Sequence, residues 1–206
     1  MNRAEIDTPH GPAFAELHCA AEGRAGLLLG HGAGGGINAP DLVAATHGAT
    51  AAGVHVALVE QPYRVAGRRA PAPAAQLDAA WLAVSHRLST LWFEGLPLLF
   101  GGRSSGARVA CRTAEEGEAV GVVCLAFPVH PPGKPDKTRQ PELDAVHVPT
   151  LVVQGESDPF GQPRGAHLRE IVRMPGDHSL KKDIPGISRV VEEWLHRILR
   201  PLDQLD

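Results

Sequence analysis

Short apolar runs alternate with longer segments of helical composition along most of the chain, and this alternation restricts the fold more than any other feature. Ala25–Gly30 (AGLLLG) is a compact apolar run ending in glycine. Similar runs occupy 54–59 (VHVALV), 97–101 (PLLFG), 119–127, 150–154 (TLVVQ) and 171–174. These runs have no polar face, so both faces of each strand are buried; that is the signature of a parallel sheet covered on both sides by helices. The intervening segments supply the covers. Residues 40–52 have helical composition, with Asp41 near the start. In 73–93, Leu77, Trp81, Val84, Leu88 and Leu91 recur at three- and four-residue spacing and make one apolar helix face. Helices are also expected over 105–116 and 185–199, the latter with Ile187, Val190, Val191, Trp194, Leu195 and Ile198 inward, and a short one over 164–170. Residues 1–22 fit one or two edge strands. Right-handed crossovers then bring the functional loops together at the carboxyl ends of the strands.

The size is that of one domain. At 206 residues the chain supports a single sizeable core over 1–206, and two domains would be cramped. Residues 128–148 carry five prolines and no periodicity. A loop of that length usually has a function, but it is too short to be a folded cap. A net charge of -3 with no basic run argues against nucleic-acid binding. No stretch approaches the roughly 20 apolar residues of a membrane span, and the first residues, MNRAEIDTPHGPAF, lack a signal-peptide pattern. Cys19, Cys111 and Cys124 form no CxxC pair. They read as reduced, buried thiols of a cytoplasmic protein.

Four loop motifs carry chemistry. Gly101-Gly102-Arg103-Ser104-Ser105-Gly106 stands between an apolar strand and an apolar helix, the context of a G-x-S-x-G nucleophile elbow. Side chains two residues either side of the serine would collide in so tight a turn. Ser104, flanked by Gly102 and Gly106, is therefore the candidate nucleophile, and Ser105 is not. A structural turn or a phosphate cradle is the alternative reading of this motif alone. Directly after the first apolar run comes GHGAGGG, residues 30–36. Such a loop lets backbone N–H groups approach a developing oxyanion, here those of Ala33 and Ser105. It fits a dinucleotide-binding pattern poorly, and no Walker lysine follows.

Asp158 follows the 150–154 run, and His178 follows the 171–174 run. The order serine, acid, histidine is that of the α/β-hydrolase fold. A serine hydroxyl needs a neutral imidazole to take its proton and a carboxylate to hold the imidazole tautomer. Among eleven histidines only His178 sits in a loop past the last strand. Glu156 is a rival for the acid. Asp177 adjoins the histidine, a poor geometry for reaching its ring. His31, Gly34, Arg103 and His130 are candidate substrate contacts, and Arg103, His130 and Lys134 together would favour an anion. The alternative is that Arg103 pairs internally and His130 caps a loop. The expected fold is therefore a cap-less α/β-hydrolase, mostly parallel, acting through Ser104, His178 and Asp158 on a small acyl substrate. No cofactor, metal, membrane or nucleic acid is implied. A hydrolase-fold interaction module with little turnover is the competing reading.

GHGAGG, GGRSSGARVA, FPVHPPGKPDK and LVVQGESDPFG together resemble a small, cap-less α/β-hydrolase-like family that includes the Tex30 and KANSL3 proteins, over about residues 27–195. HPPGKP is the more specific of these segments. The resemblance implies a cytoplasmic hydrolase-like domain of ill-defined substrate, and protein partners for some members. Dienelactone-hydrolase-like enzymes are a neighbouring type. They commonly use a cysteine nucleophile, from which serine at 104 departs.

Overall fold

A computed structural model describes residues 2–200; residues 1 and 201–206 lie outside the described residues. The elements, in chain order, are β1 (Asn2–Ile6), β2 (Ala13–His18), β3 (Ala25–Gly30), α1 (Pro40–Ala51), β4 (Val54–Glu60), α2 (Pro62–Val65), α3 (Ala74–Leu91), β5 (Leu98–Arg103), α4 (Ser105–Thr113), β6 (Gly121–Leu125), α5 (Gln140–Asp144), β7 (Thr150–Gly155), β8 (Arg169–Met174) and α6 (Ile184–Leu199). The eight strands form one sheet in the order β1-β2-β4-β3-β5-β6-β7-β8. Strand β2 runs antiparallel to both β1 and β4, and every pair from β4 through β8 is parallel. This is the α/β-hydrolase fold without a cap domain.

Alternation along the central strands builds the two cores. Leu27 and Leu29 face a core shared with α1 and α6, while Leu28 faces the core shared with α3 and α4. All three leucines are fully buried, so β3 is apolar on both faces. Helix α3 buries Leu77, Ala80, Trp81, Val84, Ser85 and Leu88. Trp81 meets Phe100 of β5 edge to face, with ring centroids 5.5 Å apart. Leu91, expected on that face, is instead exposed at the helix end. Helix α6 opens with Asp183 accepting from Gly186 N–H at 2.9 Å and buries Ile187, Val191, Trp194, Leu195 and Leu199. Val190 and Ile198 are only partly buried against the same core.

Residues 2–22 supply two strands, of which only β1 is an edge; β2 is flanked by β1 and β4. Residues 164–168 are not helical. Arg169 turns inward there, donating to Arg164 O at 2.8 Å and pairing with Asp144 at 3.0 Å, and its N–H closes a tight turn onto Ala166 O at 3.0 Å. The strand that follows starts at Arg169 rather than 171. The proline-rich 128–148 segment holds the one-turn helix α5, which anchors it: Arg108 of α4 forms a bidentate pair with Glu142. Cys111 and Cys124 are buried free thiols with sulfurs 3.5 Å apart, whereas Cys19 is exposed, contrary to the expectation for all three.

Candidate active site

Ser104 stands at the junction of β5 and α4 with φ 52 and ψ -106, a conformation that L residues with side chains rarely adopt. Its N–H donates to Leu125 O of β6 at 2.9 Å, which ties the turn to the neighbouring strand. The flanking glycines are required by contact. A Cβ on Gly102 would lie 2.5 Å from Gly30 O and 2.7 Å from the carbonyl carbon of Gly106, and a Cβ on Gly106 would overlap Gly30. The close approach of β3 to the elbow is what brings the GHGAGGG loop beside the serine. A Cβ on Gly32 would stand 3.7 Å from Ser104 Cβ.

Ser104 Oγ lies 3.0 Å from His178 Nε2, and His178 Nδ1 lies 2.8 Å from Asp158 Oδ2. The carboxylate requires Nδ1 to carry the hydrogen, so Nε2 is left to accept from the serine hydroxyl. Asp158 is buried and accepts two further bonds: from Phe160 N–H to Oδ1 at 2.8 Å and from Gln154 Nε2 to Oδ2 at 2.9 Å. Glu156 is exposed on the same loop. Asp177 turns away, its Oδ1 accepting from the N–H and hydroxyl of Ser179 at 2.9 and 2.6 Å; these bonds hold its carboxyl below the usual range. Sequence reasoning missed Gln154 and Phe160. Gln154 is the penultimate residue of β7, four residues before Asp158, and the ring of Phe160 stacks on His178 with centroids 4.1 Å apart. The signal for Gln154 is present in the sequence, since a fully buried glutamine among valines needs a polar partner.

The other candidates fall in different places. His31 is not a surface contact: it is 3% exposed, its Nδ1 lies 2.8 Å from Gly32 O, and its Nε2 accepts from Gln61 N–H at 3.1 Å. Both ring nitrogens serve the scaffold of the glycine loop. Burial, the main cause, depresses its pKa and keeps the ring neutral. Arg103 pairs internally. Its Nε is 3.0 Å from Asp41 Oδ2, and its Nη2 donates to His178 O at 3.1 Å. Gly34 is exposed with open space around its Cα, at the mouth of the loop. His130 is half-buried, with its N–H donating to Phe160 O and its Nδ1 2.9 Å from Pro131 O. Lys134 is exposed on the same loop.

Ser104 is half-buried, and none of the hollows described below is lined by it. Two of the larger hollows, about 580 and 410 Å³, are lined from the amino ends of β3 and β5 and lie away from the serine. A void beside Ser105, lined also by Gly30, His31, Gln61 and Trp81, measures only about 10 Å³. Among the described residues no group of three or more His, Cys, Asp or Glu side chains is arranged to hold a metal ion, and no described helix is long and apolar enough to cross a membrane.

Residues 23–184 match the family model for an alpha/beta hydrolase domain. The chain belongs to that family. Solved structures share the fold at low identity. XC6422 of Xanthomonas campestris, described as an a/b serine hydrolase without lid, superposes with a TM-score of 0.77 at 20% identity, covering 95% of this chain and 94% of that one. Est1E of Butyrivibrio proteoclasticus gives 0.78 at 16% identity, with 97% and 99% covered. A dienelactone hydrolase of Anabaena variabilis gives 0.75 at 16%, with 95% and 96% covered.

Proposed function

We propose that this alpha/beta hydrolase cleaves an ester, thioester or similar acyl bond of a small substrate, with Ser104 as nucleophile, His178 as base and Asp158 as the carboxylate that orients the base. The observation that carries the reading is the continuous hydrogen-bonded line from Asp158 through both nitrogens of His178 to Ser104, ending on a serine at φ 52. Likeness to a lid-free serine hydrolase and to a dienelactone hydrolase is in keeping with acyl chemistry. Kinship with the Tex30 and KANSL3 proteins rests on the sequence segments and is part of the same proposal, as is a cytoplasmic location.

Each group has a defined role. Ser104 Oγ attacks the acyl carbon as His178 Nε2 takes its proton. The negative charge on the former carbonyl oxygen is held by the N–H groups of Ser105 and Ala33. Ser105 is the first residue of α4, where helical N–H groups lack intrahelical partners and the helix dipole favours negative charge. Loss of one such donor raises the barrier by roughly 3 to 4 kcal/mol. His178 then protonates the leaving group, and water repeats the sequence on the acyl-serine. With no cap to enclose a long chain, short or polar acyl groups are the favoured substrates. The test is labelling with a fluorophosphonate, followed by a series of p-nitrophenyl esters. Wild type should label at Ser104 and turn over the short esters, and Ser104→Ala should do neither. Labelling at Ser105, or no labelling of folded protein, overturns the proposal.

A further inference from the structure

We infer that Arg103 is a positioning residue for the acyl-transfer reaction: its guanidinium, paired with buried Asp41, holds the His178 loop and the glycine loop in register with Ser104. The inference rests on the reading of Ser104 and His178 as nucleophile and base. Arg103 is the last residue of β5, one residue before the serine. Its three nitrogens face three different segments, a helix and two loops. Nε lies 3.0 Å from Asp41 Oδ2 on the first turn of α1. Nη2 donates to the backbone carbonyl of His178 at 3.1 Å. Nη1 packs on Gly32, 2.9 Å from where a Cβ would stand, so a side chain at 32 would displace the guanidinium. A planar group with donors diverging in a fixed fork suits this arrangement, and a lysine ammonium does not.

The pair is poorly explained as a stability device. The Asp41 side chain is fully buried, and burial is the largest influence on it, raising its pKa; the charge of Arg103 only partly opposes this. Buried ion pairs of this kind are often no more stabilising than an uncharged pair of similar volume, whereas removing one partner alone strands a charge. What the pair supplies is geometry. His178 is fixed at its ring by Asp158 and at its backbone by Arg103, and the same guanidinium borders the loop that carries Ala33. A misplacement of about 1 Å between reacting groups can cost about 100-fold in rate.

The discriminating variant removes both charges. Arg103→Met/Asp41→Asn leaves no stranded ion, so it should fold with an unfolding midpoint close to wild type, while Arg103→Met alone should be clearly less stable. In the folded double variant, kcat for a short p-nitrophenyl ester should fall about 10- to 100-fold with KM within twofold, and fluorophosphonate labelling should slow by a similar factor. In Arg103→Ala, millimolar guanidinium should restore part of kcat, and equal sodium chloride should not; this arm also serves if the double variant folds poorly. A double variant with kcat within twofold of wild type, an effect confined to KM, or no response to guanidinium overturns the inference. Ser104→Ala run alongside separates the two readings. If it labels and turns over like wild type, the nucleophile assignment has failed; if it is inert while the Arg103 variants are fully active, only the positioning role has failed.

Discussion

Phe160 lies against the ring of His178, with centroids 4.1 Å apart and 28° between the planes, while its own N–H donates to the carboxylate of Asp158. One residue thus touches the base through its side chain and the acid through its backbone. An aromatic face stabilises a cation above it, so in the proposed mechanism the contact favours the imidazolium formed as Ser104 loses its proton. Such ring contacts are worth about 0.5 to 1.5 kcal/mol. Phe160→Leu, which keeps the backbone donor, should lower kcat/KM about 2- to 10-fold. An unchanged kcat/KM in steady-state ester hydrolysis would show that the ring only fills space.

Asp158 and Glu156 differ in what surrounds them. Asp158 accepts from Gln154, Phe160 and the His178 ring, and Glu156 stands exposed. Asp158→Asn should reduce kcat by about 10³ to 10⁴, since the amide no longer enforces the tautomer, while Glu156→Gln should remain within twofold of wild type. Reversal of that ranking in the same assay would reassign the acid.

The glycines near the serine are not equivalent. At Gly102 a Cβ meets the backbone of Gly30 and Gly106, which no rotamer change can relieve; at Gly34 nothing lies within 4 Å. Gly102→Ala should cost about 1 to 3 kcal/mol by overpacking, a fall of about 2 to 12 °C in Tm for a domain of this size. Gly34→Ala should stay within about 0.5 kcal/mol of wild type. Calorimetric midpoints of the two variants check the contrast.

His31 makes stability depend on pH in one direction. Its folded-state pKa is lowered, chiefly by burial, so the unfolded chain binds the proton more readily. The contribution is fully present above the unfolded value of about 6.5 and is lost as pH falls below it, with a slope of at most about 1.4 kcal/mol per pH unit. Protonation would also remove the acceptor that Gln61 N–H uses and loosen the glycine loop. Urea midpoints measured from pH 7 to 5 should therefore fall more steeply in wild type than in His31→Gln. Parallel curves for the two proteins would mean that His31 is not held neutral.

The strained serine elbow, the glycine loop and the order of elements were legible in the sequence because their causes are local. The elbow needs glycine two residues either side of the serine, and a doubly covered strand needs an uninterrupted apolar run, as in Ala25–Gly30. The contact of Asp158 with His178 was legible only as the better of two candidates, because choosing it over Glu156 depends on which side of the loop faces His178. The partnership of Arg103 with Asp41 joins residues 62 positions apart in numbering. Periodicity reports that a face is buried and does not say which loops meet there, so this pairing arises only when β3, α1 and β5 are assembled. The same limit explains residues 164–168: their composition permits a helix, but Arg169 finds its partners in Asp144 of α5 and the Arg164 carbonyl, and the chain makes a tight turn instead. Local propensity, a fraction of a kcal/mol per residue, yields to a buried charge that must be paired.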